Sequence, residues 1–256
     1  MNTKEMTMKR QGHHGLQTNG RNMKSLNTTL RALALKSALT ATVLALLVAA
    51  SPAQGTGRNP NPGIIPPGST YRGQSYGEWG AQWWKTIFSI PVVDGYHPLI
   101  SGGAFEGEKK VVFLAAAAGG VTIDVTIRPG ASLFVPVLNS ECSVLEPDPF
   151  HGDDEAEMRA CANGHIDHTS GLIAVIDGVP VQDLGAYRVE SPLFEFGPLP
   201  ADNVLGAPAG TTSLAVDAGV YLMLAPLRPG SHTIHVGGTF DEFGFTIDTT
   251  FNITVE

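Results

Sequence analysis

The chain has 256 residues, 43% of them apolar and 16% charged, with 30 glycines and 18 prolines, a composition typical of a globular protein with many turns. Residues 1–50 hold 7 basic residues and 1 acidic residue, so the other 9 basic and 23 acidic residues give the rest of the chain a net charge of −14, although the whole chain carries −8. So acidic a surface repels nucleic acid and anionic lipid, which excludes both as expected partners.

The first segment of the chain predicts export. An uncharged run of about fourteen residues, Ser37–Ala50, follows three basic residues and precedes small ones. This order is typical of a signal peptide cleaved after Ala50 or Ala53. A bilayer span takes roughly twenty residues, so the length favours a cleaved signal over an uncleaved anchor, and no membrane span is expected after cleavage. A start at Met23 would give the signal its normal length.

The next segment predicts a flexible tether. Residues 51–70 contain five prolines and four glycines, which favour an extended linker over a folded element. The remaining residues, 71–256, are long enough for one sizeable core. We therefore expect a single β-rich domain over residues 71–256.

Two helices are predicted within this domain. Residues 75–78 form a capping box, and the apolar and aromatic residues that follow have helical spacing up to a stop at Pro91. A second, shorter helix is predicted to begin at Asp153 or Asp154 and to end at Asn163-Gly164.

The rest of the domain has the pattern of β-strands. Residues 121–128 and 243–255 alternate between apolar and polar side chains, and residues 132–138 are mostly apolar. Two further strands, 220–227 and 231–236, flank a Pro-Gly turn and predict a hairpin. Strands joined by short turns predict a mainly β fold, an antiparallel β-sandwich of immunoglobulin-like or jelly-roll-like type. It would carry one N-terminal amphipathic helix and one short helix in an insertion.

The two cysteines predict a disulfide bond. Cys142 and Cys161 both lie in the part of the chain that would be exported to an oxidising compartment. Their bond would close a loop of about twenty residues around the second helix and stabilise the fold by roughly 3 kcal/mol.

Five sequence blocks between about residue 71 and the C-terminus carry a resemblance. They are Tyr76-Gly-Glu-Trp79 with Trp83-Trp84 and Ser89-Ile-Pro91, then Pro129–Asn139, Ile176-Asp-Gly178, Tyr187–Pro192 and Pro226–Ile234. These blocks resemble those of a group of secreted bacterial proteins of uncharacterised function. The predicted hairpin is also similar to the last strands of immunoglobulin-like domains. The first resemblance implies secretion and the second implies a fold, and neither assigns a catalytic residue.

All three tryptophans, Trp79, Trp83 and Trp84, lie on the predicted first helix. Such a stripe is either a stacking surface for sugar rings or another flat apolar ligand, or the core face of the helix. Because Trp79 and Trp83 are four residues apart, their shared face can be wholly buried, which favours the core. Trp84 widens the stripe and is the tryptophan expected to be partly exposed.

An acidic and histidine-rich segment is the candidate metal site. Carboxylates alone would suit Ca²⁺, whereas added histidines would suit a transition metal. The spacing matches neither an EF-hand nor an HExxH motif, and a solvated acidic loop with favourable charges at a helix N-terminus explains the same residues. The candidate ligands are His151, Asp153, Asp154, His165 and His168.

No sequence motif names a reaction. The chain has no GxSxG elbow, no P-loop and no GxGxxG after a strand. The leading hypothesis is therefore a secreted β-sandwich that binds a ligand or partner, with a metal at the acidic loop as an option. The alternatives are a structural envelope or matrix protein, and a secreted hydrolase or lyase acting on a polysaccharide or other extracellular polymer. For the enzyme, Glu141 is the first catalytic candidate.

Overall fold

The structure is a computed structural model that describes residues 59–61 and 63–256. The predicted signal peptide, residues 1–50, lies outside the described residues, as does the first part of the predicted tether. The described helices are α1 (Tyr76–Phe88), α2 (Pro98–Ser101), α3 (Glu155–Asp167) and one turn of 3₁₀ helix (Leu184–Tyr187). The described strands are β1 (Gly103–Glu106), β2 (Val111–Ala115), β3 (Val121–Ile127), β4 (Ser132–Ser143), β5 (Thr169–Ile176), β6 (Val179–Pro180), β7 (Arg188–Glu190), β8 (Phe194–Phe196), β9 (Ser213–Leu224), β10 (Gly230–Phe240) and β11 (Phe245–Val255).

These strands form two sheets that pack together, which confirms the predicted mainly β sandwich. The first sheet has the order β1-β2-β4-β9-β7, with β8 pairing to another part of β9, and the second has the order β3-β11-β10-β5-β6. Most neighbours are antiparallel, as predicted, but β2–β4 and β3–β11 are parallel. The chain leaves the first sheet after β2, adds β3 to the second sheet and then returns as β4, so both sheets are mixed.

Helix α1 covers the outer face of the first sheet. Its N-cap is Ser75 in the predicted capping box with Glu78, and it ends at Phe88, before Pro91. Phe113 of β2 and Phe134 of β4 pack against its aromatic face. Because α1 covers one face of β4 and the second sheet covers the other, seven consecutive residues of β4 are buried. This double coverage explains why residues 132–138 do not alternate in polarity.

Helix α3 packs against the far ends of β4 and β9. The predicted Cys142–Cys161 disulfide is present and joins β4 to this helix. The helix has Asp154 as its N-cap, as one of the two predictions had it, but it continues past Asn163-Gly164 to Asp167. Ile166 is buried one turn beyond Ala162, and the burial of its side chain offsets the weak helix propensity of the glycine.

The predicted hairpin between residues 220–227 and 231–236 is wrong. Both segments are strands, but β9 pairs with β4 in the first sheet, whereas β10 pairs with β5 and β11 in the second. The residues between them carry the chain from one sheet to the other. A short connection with Pro and Gly has the same local sequence whether it turns within a sheet or crosses between two sheets.

The predicted tether is too long. Ile64 is buried and forms a β-bridge with Leu224, and the Ile65 amide donates to the carbonyl of Met223. The side-chain amide of Asn61 donates to the Tyr187 hydroxyl. The folded domain therefore begins by about residue 59, and its first residues bind to the outer part of the sheet. No helix in the described part of the chain has the length and apolarity to cross a membrane.

The close approach of α1 to the sheet can be tested at Gly77. A Cβ at this position would overlap the backbone carbonyl oxygen of Glu190, which cannot move without shifting β7. We expect Gly77→Ala to lower the free energy of unfolding by about 1–3 kcal/mol in urea titrations. Gly164→Ala is the matched control, because this helical glycine has open space around it, and it should raise stability by about 0.5–1 kcal/mol. Equal effects of the two substitutions would contradict the close approach.

Candidate functional site

The three tryptophans do not form a stacking surface on the outside of the protein. The exposed fractions of Trp79, Trp83 and Trp84 are 0%, 2% and 6%. The indoles of Trp79 and Trp83 donate to the backbone carbonyls of Tyr71 and Leu114 and pack in the core. The prediction of a ligand surface is wrong for these two residues, because the first sheet needs this face of α1 to cover its own aromatic side chains.

Trp84 instead reaches a buried carboxyl group on β9. Its indole donates to Oδ1 of Asp217 at 2.8 Å, and the Tyr221 hydroxyl donates to the same oxygen at 2.5 Å. Asp217 is completely buried, and its Oδ2 has no hydrogen-bond partner among the described residues. Gly80 of α1 makes room for this group, since a Cβ there would lie 2.5 Å from Oδ2. Burial raises the pKa of Asp217 to about 7, against the opposing effect of both hydrogen bonds.

Glu141 lies directly opposite Asp217 in the antiparallel pairing of β4 with β9. Side chains at directly opposed positions point to the same face of the sheet, so the two carboxyl groups are neighbours. Glu141 is only 3% exposed, and its Oε1 has no hydrogen-bond partner in the described structure. Burial, and then the negative charges of Glu146 and Asp217, raise the pKa of Glu141 well above its ordinary value. Glu141 is therefore a neutral acid at neutral pH.

Glu146 follows β4 in a loop that turns back towards Glu141. The Ser143 hydroxyl donates to Oε2 of Glu146 at 2.9 Å and accepts from its backbone amide at 3.2 Å. The ring of His151 hydrogen bonds to the Glu146 carbonyl at 2.7 Å. These contacts hold the Glu146 side chain beside Glu141, where a hydrogen bond between the two carboxyl groups helps to keep Glu141 neutral.

Both glutamates line a cleft of about 530 Å³. Beyond Phe134, β4 has lost its neighbour β2, and until Ser143 its only strand partner among the described residues is β9. The cleft lies along this free edge. Seven of its eleven lining residues are apolar and four are polar. They are Trp84, Phe88, Leu99, Phe150, Phe240, Phe243 and Phe245, and Asn139, Ser140, Glu141 and Glu146.

Two groups of aromatic rings face this space. On the helical side Trp84 packs against Phe88, with ring centres 5.3 Å apart. At the opposite wall the rings of Phe150 and Phe243 are 5.7 Å apart, and His165 packs edge-on against both. A mainly apolar cleft of this size with a few polar groups at one place is typical of a binding site for a small organic molecule.

The five candidate metal ligands do not form one site. Nε2 of His151 lies 3.1 Å from Oδ1 of Asp153, at the surface. Asp154 caps α3 by accepting from the Glu157 amide, and His168 is exposed and hydrogen bonds to a carbonyl of its own helix. His165 is buried on the side of α3 that faces β4. The local explanation, a solvated loop with charges at a helix N-terminus, accounts for the acidic residues.

His165 is also the one candidate ligand that enters a compact donor group. Within the described residues, the only group of three metal-type donors that lie close together consists of His165, Cys142 and Cys161. The two sulfur atoms are joined in the disulfide, so they offer no thiolates. The His165 ring hydrogen bonds to the Ser140 hydroxyl at 2.7 Å, and burial lowers its pKa. The residues present therefore do not fit a Ca²⁺ or transition-metal centre.

Sequence reasoning singled out Glu141 and Trp84, which the structure brings to the cleft, but it missed most of the other lining residues. Phe240, Phe243 and Phe245 come from the turn between β10 and β11, about a hundred residues further along the chain. Asp217 gave one signal that could have been read. It is a charged residue within an otherwise apolar strand, and such a residue is either at a bulge or buried for a reason.

The buried Asp217 predicts an unusual dependence of stability on pH. The native state keeps this proton up to about pH 7, whereas the unfolded chain loses it near pH 4, so the unfolded state binds fewer protons in between. The free energy of unfolding should therefore fall as the pH rises from 4 to 8, by about 4 kcal/mol for this group.

Asp217→Asn should remove that part of the fall, because the amide oxygen still accepts from Trp84 and Tyr221 but carries no charge. The measurement is urea unfolding of both proteins at pH 4.5, 6 and 8. Glu141 leaves a smaller slope in the variant. Parallel curves for the two proteins would show that Asp217 is not the neutral acid that its burial requires.

The chain matches no protein-family model. It also matches no curated protein. The resemblance to secreted bacterial proteins remains a prediction from the sequence blocks.

Proposed function

We propose that this chain is an exported protein that binds a small, mainly apolar organic ligand in the aromatic cleft. The observation that carries the proposal is the buried Oε1 of Glu141, which has no hydrogen-bond partner in the described structure and lies in the wall of an otherwise apolar cleft. A buried polar atom without a partner costs free energy, and a ligand that supplies the partner recovers it. Glu141 is thus the point at which a ligand would be oriented.

Export is supported by the order of basic, apolar and small residues at the N-terminus. The Cys142–Cys161 disulfide agrees with it, because such bonds persist in the extracellular space and the periplasm and are rare in the cytosol. We propose the secreted or periplasmic location on these two grounds.

A second candidate function is hydrolysis or elimination with Glu141 as the general acid. One observation favours it: Glu141 and Glu146 bring a neutral acid and a second carboxylate to the same cleft. The walls, however, offer mainly aromatic and aliphatic groups, whereas a polysaccharide requires many hydrogen-bonding partners. The apolar walls therefore favour binding over cleavage of a sugar polymer.

The binding function can be tested with N-phenyl-1-naphthylamine, a neutral apolar dye whose emission rises when it leaves water. We expect a saturable rise with the purified, disulfide-bonded protein and an affinity at least about fivefold weaker in Phe243→Ala, which removes one aromatic wall. Leu193→Ala is the matched control, since Leu193 and Phe243 are both 37% exposed but only Phe243 lines the cleft. The absence of saturable emission, or equal weakening by both substitutions, would overturn the proposal.

A further inference from the structure

We propose that the ligand of the cleft is an amphipathic organic cation, with an ammonium group beside Glu141 and Glu146 and an apolar body between the aromatic walls. This inference rests on the proposed binding function and adds the chemical class of the ligand. It follows from three properties of the cleft: the sign of its charges, the nature of its walls and the geometry of its oxygen atoms.

The charges in and behind the cleft have one sign. Glu141 and Glu146 line it, and none of the lining residues in the described chain is Lys or Arg. Asp217 stands behind Glu141 on β9, and Glu242 acts on His165 at the far wall. The one basic ring nearby, His165, is kept neutral by burial. Acidic walls without a counter-cation attract a positive ligand and repel an anion such as a fatty acid.

The walls suit a cation that carries apolar groups. Trp84, Phe88, Phe150 and Phe243 line the cleft on both sides of the glutamates. Aromatic rings attract an ammonium group through their electron-rich faces, and they also bury an alkyl or aryl body. A strongly hydrated, purely polar cation would gain nothing from these walls.

The positions of the oxygen atoms speak against a bare metal ion. Ca²⁺ takes six to eight oxygen ligands. In the described chain, the carboxyl oxygens of Glu141, Glu146 and Asp217 do not come together as a three-donor group. The remaining polar lining residues, Asn139 and Ser140, are too few to complete such a shell. An ammonium group needs only one or two carboxylates and tolerates aromatic neighbours.

Binding of the cation should release a proton. In the free protein Glu141 is a neutral acid, because burial and the neighbouring carboxylates oppose its ionisation. An ammonium group at Oε1 stabilises the carboxylate form, so the O–H bond breaks and its proton goes to the solvent buffer. Affinity for the cation should therefore fall as the pH is lowered. The titratable groups that face Glu141 are Glu146 from the loop after β4, and Asp217 and Tyr221 from β9, with Glu190 of β7 next to Asp217.

The test compares three ligands with the same alkyl chain: octyltrimethylammonium, octanol and octanoate. We expect isothermal titration calorimetry of the disulfide-bonded protein at pH 7 to show the cation binding at least about tenfold more tightly than octanol, and octanoate most weakly. The binding enthalpy of the cation should vary between buffers of different ionisation enthalpy in the sense of proton release, whereas that of octanol should not.

Glu141→Gln tests the residue itself. Glutamine matches the neutral acid in shape and cannot ionise, so the variant should keep its Tm, lose at least about tenfold in affinity for the cation, release no proton and bind octanol unchanged. Glu195→Gln, which removes an exposed carboxylate of β8 outside the cleft, is the matched control and should behave as the wild type. If Glu141→Gln does not fold, Glu146→Gln takes its place, with the same loss of affinity for the cation expected.

The outcomes separate the inference from the function on which it rests. Equal affinities for the cation and octanol, both weakened by Phe243→Ala, would overturn the cation inference and leave the binding function standing. Failure of all three ligands and of the neutral dye to bind would overturn both. A rise in Tm with CaCl₂ in the wild type that Glu141→Gln abolishes would replace the organic cation by a metal ion.

Discussion

Helix α1 can lie where it does because two of its residues have no side chain. Gly77 leaves space for a carbonyl oxygen of β7, and Gly80 leaves space for the carboxyl group of Asp217. At this distance the Trp84 indole reaches Asp217, and Phe88 and Trp84 form one wall of the cleft. The coverage of the outer face of the first sheet, the burial of Asp217 and the shape of the cleft all depend on this close contact.

The same contact places two acids in an unfavourable position. Glu141 and Asp217 are directly opposite in the sheet, where two like charges destabilise a strand pair. The fold accommodates them as neutral acids, and each has one oxygen without a partner in the described structure. A domain that needed only stability would place apolar residues at both positions. Buried acids that are kept neutral are characteristic of sites that bind or transform a ligand, and here they adjoin the one large cleft lined by aromatic rings from both sides.

Local signals predicted the parts of the fold that local chemistry decides. The capping box at Ser75 and the apolar spacing after it predicted α1, and the two cysteines predicted the disulfide. The pairing of β9 and β10 was not predictable, because the linker between them has the sequence of a turn although it crosses between sheets. The cleft was not predictable either, since Phe243 meets Glu141 only through the tertiary fold. Only Glu141, singled out as a carboxylate beside a cysteine, pointed towards it.

The free edge of β4 has a consequence for solubility. A strand edge with unused backbone groups is a template on which a strand of another molecule can add, which leads to aggregation. Here the aromatic turn between β10 and β11 and the loop that carries Phe150 stand in front of that edge. An incoming chain would have to displace these rings and approach two buried acids before it could pair. The arrangement that shapes the cleft thus also shields an exposed edge of the sheet, and the protein can keep a strand unpaired there without offering it to its own copies.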